Sequence, residues 1–152
     1  MKKAFTMIEL IFVIVILGVL SAVAIPKFAK TKEMADVSKG RSDVAAIRSS
    51  ILTEKQSNLI KGINTFIPKL SANSTMLFTG DGTRTLMTYG IVAGTNAGKW
   101  SASGISGTTD LYDFKVDTTD IRFTYDSDDG TFICDRDDTD SDKQKFCRQL
   151  ID

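Results

Sequence analysis

The chain has 152 residues, which allows one globular domain besides an anchor segment. It carries 19 basic and 19 acidic side chains, and this balance predicts no contact with nucleic acid. It has no histidine, which excludes imidazole metal sites and histidine-based acid–base catalysis. The sequence also lacks a glycine-rich phosphate loop and a CxxC motif, so we predict a protein that is not an enzyme.

The first 26 residues are the most informative part of the chain. Lys2 and Lys3 precede a long apolar run, and one carboxylate, Glu9, interrupts this run near its start. Met7 to Ile25 would extend about 28 Å as a helix, close to the hydrocarbon core of a membrane at about 30 Å. An ionised side chain in that core costs roughly 2.5–3.5 kcal/mol, so Glu9 needs a partner. Since the apolar run holds no other charge, the partner should lie outside this helix, which suggests assembly.

The residues around Glu9 form a specific motif, Phe5-Thr6-Met7-Ile8-Glu9-Leu10, followed by Gly18 and Pro26. This segment resembles the N-terminal signature of type IV pilins and of the pseudopilins of type II secretion. The resemblance implies that a prepilin peptidase cuts between Ala4 and Phe5 and that the new N-terminal Phe5 is N-methylated. The family prefers glycine before the cut, and Ala4 departs from this preference. The resemblance further implies that Phe5, Glu9, Gly18 and Pro26 serve assembly.

Two other interpretations of this segment remain. A basic start, an apolar stretch and a small-residue site such as Ala22-Val23-Ala24 also describe a secretory signal peptide. Cleavage there would release a soluble domain beginning at Ile25. A plain membrane anchor would explain the length of the run, but neither interpretation explains Glu9. The alternative function is therefore an exported soluble or membrane-anchored periplasmic domain that binds an ion or a ligand.

The location follows partly from charge and partly from the resemblance. Lys2 and Lys3 favour a cytoplasmic N-terminus, although Lys27, Lys30 and Lys32 beyond the apolar run weaken this argument. The resemblance implies a single-pass protein of the bacterial inner membrane whose globular domain lies in the periplasm before it enters a filament. We predict a leader at 1–4, a transmembrane and assembly helix at 5–26, and a periplasmic domain at 27–152.

The helix is expected to continue beyond the membrane as an amphipathic helix at 27–61. One apolar stripe supports it, formed by Val44, Ile47, Ile51 and Leu59. Glu54 is predicted to lie largely off this stripe. Pro26 is expected to kink the helix, and Gly18 and Gly40 are expected to be soft points in it.

The second half of the chain predicts a sheet. Residues 71–109 are rich in Gly, Ser, Thr and Asn and predict a loop, with a strand at 85–92 and Trp100 as a packing anchor. Further strands are predicted from alternating apolar residues, namely Tyr112, Phe114 and Val116, then Ile121, Phe123 and Tyr125, then Phe132 and Cys134. The expected fold is α+β and pilin-like, with one long N-terminal helix, half of it transmembrane, packed on a roughly four-stranded antiparallel sheet. The sheet and a disulfide loop would occupy 85–152.

Cys134 and Cys147 are the only two cysteines, and two thiols in an exported chain suggest a disulfide. The bridge would close a loop of about 14 residues and contribute on the order of 3 kcal/mol. It is similar to the disulfide-bounded region of type IV pilins, which favours a pilin over the major pseudopilin. Two free thiols in a reducing compartment are the alternative.

An acidic segment, residues 135–142, lies inside the cysteine loop and contains five aspartates among its eight residues. Calcium takes about six to eight oxygen ligands, and the major pseudopilins bind it in C-terminal loops. The resemblance therefore implies a calcium site at Asp137, Asp140 and Asp142. The segment lacks the central glycine and the closing glutamate of an EF-hand. The alternative is a solvated acidic surface that aids solubility or contacts a partner.

These features together predict a structural subunit of a type IV pilus or a type II secretion pseudopilus, serving secretion, adhesion, motility or DNA uptake. The subunit would wait in the inner membrane and then pack helix to helix into a filament. There Glu9 would pair with the freed amino group of Phe5 on a neighbouring copy. The resemblance implies several partners: further copies, other pilins or pseudopilins, the prepilin peptidase and methyltransferase, an inner-membrane assembly platform, and membrane lipid.

Overall fold

The computed structural model describes residues 5–107 and 109–152. A long helix, α1, covers Met7–Ile60, and a short one, α2, covers Ser141–Ile151. Between them lie six strands: β1 Met76–Leu77, β2 Ile91–Val92, β3 Trp100–Gly104, β4 Thr109–Val116, β5 Thr119–Asp126 and β6 Thr131–Cys134. The chain divides into two compact units, Met1–Met34 and Ala35–Asp152.

The main sheet is antiparallel and has the strand order β3-β4-β5-β6. Its centre is the β4–β5 hairpin, in which Tyr112 lies opposite Phe123 and Phe114 lies opposite Ile121. Because side chains alternate across a strand, this register places the aromatic residues of both strands on one face. The turn between them begins at Asp117, whose φ of 52° is one that aspartate tolerates better than most residues.

The buried face of the sheet and one face of α1 form a single hydrophobic core. Trp100 lies at its centre, with ring centroids 4.9 Å from Phe114 and 5.2 Å from Phe123. Its indole Nε1 donates to the carboxylate of Asp43 on α1, so the one polar group of this buried ring has a partner. The expected α+β layout, a long helix covering a four-stranded antiparallel sheet, is confirmed.

The predicted strand at 85–92 is wrong in position. Only Ile91–Val92 is a strand there, and it pairs with β1 in a separate two-stranded sheet. The fourth strand of the main sheet is β3, within the region expected to be a loop. Its sequence WSASG has one large apolar residue followed by small ones, so it shows no alternation to recognise. Trp100 is nevertheless fully buried, as a packing anchor should be.

The predicted apolar stripe of α1 is confirmed at its N-terminal end and wrong at its C-terminal end. Val44, Ile47 and Ile51 are buried, whereas Leu59 is 46% exposed. The buried positions continue instead at Glu54 and Asn58, because steps of three and four residues lead there and leave Leu59 about 100° away around the helix. Because Glu54 and Asn58 are polar, apolar periodicity does not predict that these two positions are buried.

Gly40 is a site of close packing and not the soft point that was expected. A Cβ added there would lie 2.4 Å from Cε1 of Phe114 and 2.5 Å from Cδ2 of Leu150. The missing side chain therefore lets α1, β4 and α2 meet. Pro26 lies inside α1, which is helical on both sides of it, and the predicted kink stays a prediction.

Candidate functional site

The N-terminal part of α1 carries the candidate assembly residues. Every residue from Phe5 to Lys32 is exposed, so within its own unit this apolar stretch has no face turned to a core. The helix is long and apolar enough to cross a membrane, by length and composition. Such a stretch needs cover from lipid or from other protein, because large contiguous apolar surfaces are unstable in water.

Glu9 lies in the first turn of α1. Its backbone N–H is 3.4 Å from the hydroxyl oxygen of Thr6, and Thr6 with Glu9 has the spacing of a helix capping box. The amino end of a helix dipole favours a negative charge at this position. Within residues 5–107 and 109–152 the carboxylate has no ion-pair partner. The helix dipole thus stabilises this charge in part, but the described residues supply no counter-charge for it.

The other predicted assembly residues are dispersed along α1. Gly18 has nothing within 4 Å of the place where a Cβ would be, so the isolated chain does not need glycine there. Phe5 is 72% exposed and precedes the helix. Ala4 lies outside the described residues. The structure therefore places Phe5, Glu9, Gly18 and Pro26 on one segment but does not bring them together into a pocket.

The acidic segment, residues 135–142, is ordered by local backbone contacts. The Asp135 carboxylate accepts from the N–H of Asp137, and the Asp140 carboxylate accepts from the N–H groups of Asp142 and Lys143. Asp140 is thereby the N-cap of α2, and Asp142 lies in its first turn. In the described part of the chain, no three carboxylate or cysteine side chains are grouped closely enough to hold a metal ion. Asp137, Asp140 and Asp142 are therefore not assembled as a calcium site here.

A disulfide joins Cys134 at the end of β6 to Cys147 in α2, with a Cα–Cα distance of 5.8 Å. Two contacts support α2 on the rest of the domain. The guanidinium of Arg41 donates twice to the backbone oxygen of Gln149, at 3.0 and 2.8 Å, and Leu150 packs beside Gly40. The second half of the predicted disulfide loop, from Ser141 to Cys147, is thus helical, which was not predicted from the sequence.

A buried ion pair was also missed. Arg84 places Nε 2.6 Å from one oxygen of Glu54 and Nη2 2.7 Å from the other. Its Nη atoms also donate to the backbone oxygens of Thr65 and Phe66, each at 3.0 Å. This arrangement ties the loop around Arg84 to the end of α1 and to the segment that follows it. The sequence offers one signal for this ion pair, namely that Glu54 continues the helical spacing of the buried residues Ile47 and Ile51.

A second buried polar cluster surrounds Asp110. Its carboxylate accepts from the N–H groups of Leu70, Ser106 and Gly107. The nearby Tyr112 hydroxyl donates to the Ser71 hydroxyl at 2.9 Å, and burial raises the pKa of Tyr112 well above its usual value. These bonds anchor the chain before β1 to the sheet. They are contacts within the core, since Ser71, Asp110 and Tyr112 are all fully buried.

The chain combines a long helix whose N-terminal part is apolar with an α+β domain, which is the layout of a pilin-like protein. The family model of the prokaryotic N-terminal methylation motif matches residues 1–25. The type II secretion system core protein G of Dickeya chrysanthemi is 40% identical over 57 residues, which are 38% of this chain and 37% of that protein. The corresponding protein of Escherichia coli is 37% identical over 57 residues, 38% of this chain and 39% of its own length.

A type IV narrow pilus major component of Thermus thermophilus is 44% identical over 48 residues, which are 32% of this chain and 41% of that protein. No solved structure matches the chain significantly. The matched segments span well under half of each relative. The resemblance to pilins and pseudopilins is confirmed for the N-terminal motif, and the two kinds of relative do not separate pilin from pseudopilin.

Proposed function

We propose that this chain is a structural subunit of a type IV pilus or of a type II secretion pseudopilus, held in a membrane by α1 and then assembled helix to helix. The observation that carries the proposal is the apolar segment, exposed at every residue, that holds one acid, Glu9, without a counter-charge in the described chain. The relatives that share this segment are named as a secretion-system core protein and a pilus component.

The proposed mechanism is mechanical and begins with processing. A prepilin peptidase cuts between Ala4 and Phe5, and the new amino group of Phe5 becomes available and is methylated. In the filament this amino group pairs with Glu9 of a neighbouring copy. Lipid can cover the apolar side chains of the segment, but it offers Glu9 no fixed cation. In the proposed filament another copy of the chain supplies one, so Glu9 links the apolar helix to assembly.

Intact-mass and N-terminal peptide spectrometry on protein from the native membrane tests the processing step. A mature chain that starts at methylated Phe5 is the expected result. A chain that starts at Ile25 would mean that the segment is a signal peptide and would overturn the proposal. It would favour the alternative, an exported domain that binds an ion or a ligand.

Substitution of Glu9 tests the assembly step. Glu9→Ala and Glu9→Gln should leave a stable membrane protein but reduce filament yield strongly, because the neighbouring amino group then loses its counter-charge. Glu33→Gln, which removes a carboxylate from α1 outside the apolar run, is the matched control and should assemble. Filament yields measured by electron microscopy and by shear fractionation would contradict the mechanism if the Glu9 variants matched the wild type.

A further inference from the structure

Three lysines follow the apolar segment of α1 within one and a half helical turns. Lys27, Lys30 and Lys32 are all exposed, and Glu33 is the only acid between Lys27 and Met34. Within the described residues, none of the three ammonium groups has an ion-pair or hydrogen-bond partner. The short stretch therefore carries a local excess of positive charge that the chain itself does not balance.

The positions of these lysines match the headgroup layer of a bilayer. At 1.5 Å per residue, their Cα atoms lie about 3 to 10 Å along α1 beyond Ile25, the last residue of the apolar run. The polar layer on each side of the hydrocarbon core is about 5–8 Å thick. Lysine side chains can also extend along a helix so that the ammonium group reaches the phosphate level.

The arrangement around the helix favours a surrounding medium over a single docking partner. At about 100° per residue, Lys30 lies about 60° from Lys27 on one side, and Lys32 lies about 140° from it on the other. The three side chains thus point around more than half of the helix circumference. A protein surface docked on one face of α1 would reach at most two of them, whereas lipid headgroups surround the helix.

These lysines also oppose the usual distribution of charge. In the proposed orientation they lie on the outer side of the membrane, where topology favours few basic residues. Their charge therefore does not serve orientation. Anionic lipid surfaces attract such lysines by about 1 kcal/mol each, and this attraction supplies a different role for them.

We propose that Lys27, Lys30 and Lys32 bind the phosphate groups of anionic lipids at the outer face of the membrane, an inference that rests on the proposed transmembrane role of α1. The contacts hold the waiting subunit at a defined depth. They are given up when the subunit leaves the bilayer, so they oppose extraction in a way that depends on lipid charge and on salt.

The full-length chain in nanodiscs tests the inference. The nanodiscs contain equal amounts of phosphatidylcholine and phosphatidylglycerol, and native mass spectrometry counts the lipids that stay bound to the ejected protein. We expect phosphatidylglycerol to be retained at least about fivefold over phosphatidylcholine, the ratio that one such contact gives. The variant Lys27→Gln/Lys30→Gln/Lys32→Gln should retain clearly less phosphatidylglycerol than the wild type, and any preference left in it comes from Lys2 and Lys3 at the other end of the apolar run.

The matched control is Lys61→Gln/Lys69→Gln/Lys99→Gln, which removes the same charge from the globular domain and should keep the wild-type preference. Equal retention of both lipids by the wild type, or an unchanged preference in the first variant, would overturn the inference while leaving the membrane anchor intact. A chain that does not remain in nanodiscs at all would instead contradict the proposed transmembrane role.

Discussion

Breaking the ion pair between Glu54 and Arg84 by a single substitution should be among the most costly changes to the globular domain. Their side chains are only 5% and 17% exposed, and the guanidinium contacts both carboxylate oxygens. Removing one member of a buried pair costs about 3–5 kcal/mol, because the other charge stays buried without compensation. Since domains are stable by only about 5–15 kcal/mol, Arg84→Met should bring this one close to unfolding.

The double variant Glu54→Leu/Arg84→Met distinguishes the pair from simple loss of contacts. With both charges removed, no buried ion remains uncompensated, so its loss of stability should be clearly smaller than the sum of the two single losses. Some loss remains, because Arg84 also donates to two backbone oxygens and Asn58 donates to the Glu54 carboxylate. The coupling energy between the two positions is the quantity to measure.

Urea unfolding of the full chain in mild detergent provides the assay, with fluorescence of Trp100 as the probe. This residue is the only tryptophan and is fully buried, so its emission reports the core. The control is Arg122→Met, which breaks the exposed pair with Asp113 and should cost less than about 1 kcal/mol. If Arg84→Met were no more costly than this control, or if the single losses simply added, the reasoning would be refuted.

The remaining predictions concern Gly40, two buried tyrosines and the acidic segment. Gly40→Ala should destabilise the domain by about 1–2 kcal/mol in urea unfolding, because overpacking exceeds the gain in helix propensity; greater stability would contradict this. Burial raises the pKa values of Tyr112 and Tyr125, so stability should hold below about pH 10, the unfolded value, and fall at higher pH. A melting temperature that stays constant up to pH 11.5 would contradict this prediction. Calcium and chelator should give equal melting temperatures, since the acidic segment uses its carboxylates in turns and in the cap of α2; a clear calcium shift would restore the metal site.

The sequence predicts the parts of the fold whose neighbours in the chain are also neighbours in space. The β4–β5 hairpin shows regular alternation and a short turn, so its strands and its buried face were both recognisable. The disulfide followed from two cysteines in a chain that was expected to be exported. The burial of Val44, Ile47 and Ile51 on α1 was predicted from apolar periodicity alone.

The missed elements depend on long-range contacts that leave little trace in the local pattern. β3 is recruited to the sheet by burial of Trp100 against residues far away in the chain, and its other residues are small or polar. Glu54 is buried because Arg84, thirty residues later, reaches it. For α2 a local signal did exist, namely an aspartate N-cap at Asp140, but the density of aspartates favoured a loop interpretation.

The apolar N-terminal segment of α1 differs from these elements. Its signal in the sequence is local, but the proposed role of Glu9 depends on groups outside this chain. Two buried carboxylates of the globular domain have partners within it: Glu54 pairs with Arg84, and Asp110 accepts from three backbone N–H groups. Glu9 has no such partner in the described chain. A lipid bilayer covers the apolar surface around Glu9 but does not stabilise its charge. Water solvates the charge but leaves the apolar surface exposed. In the proposed filament, the amino group of a neighbouring copy would compensate the charge and the neighbouring helices would cover the apolar surface, and for this reason we propose assembly.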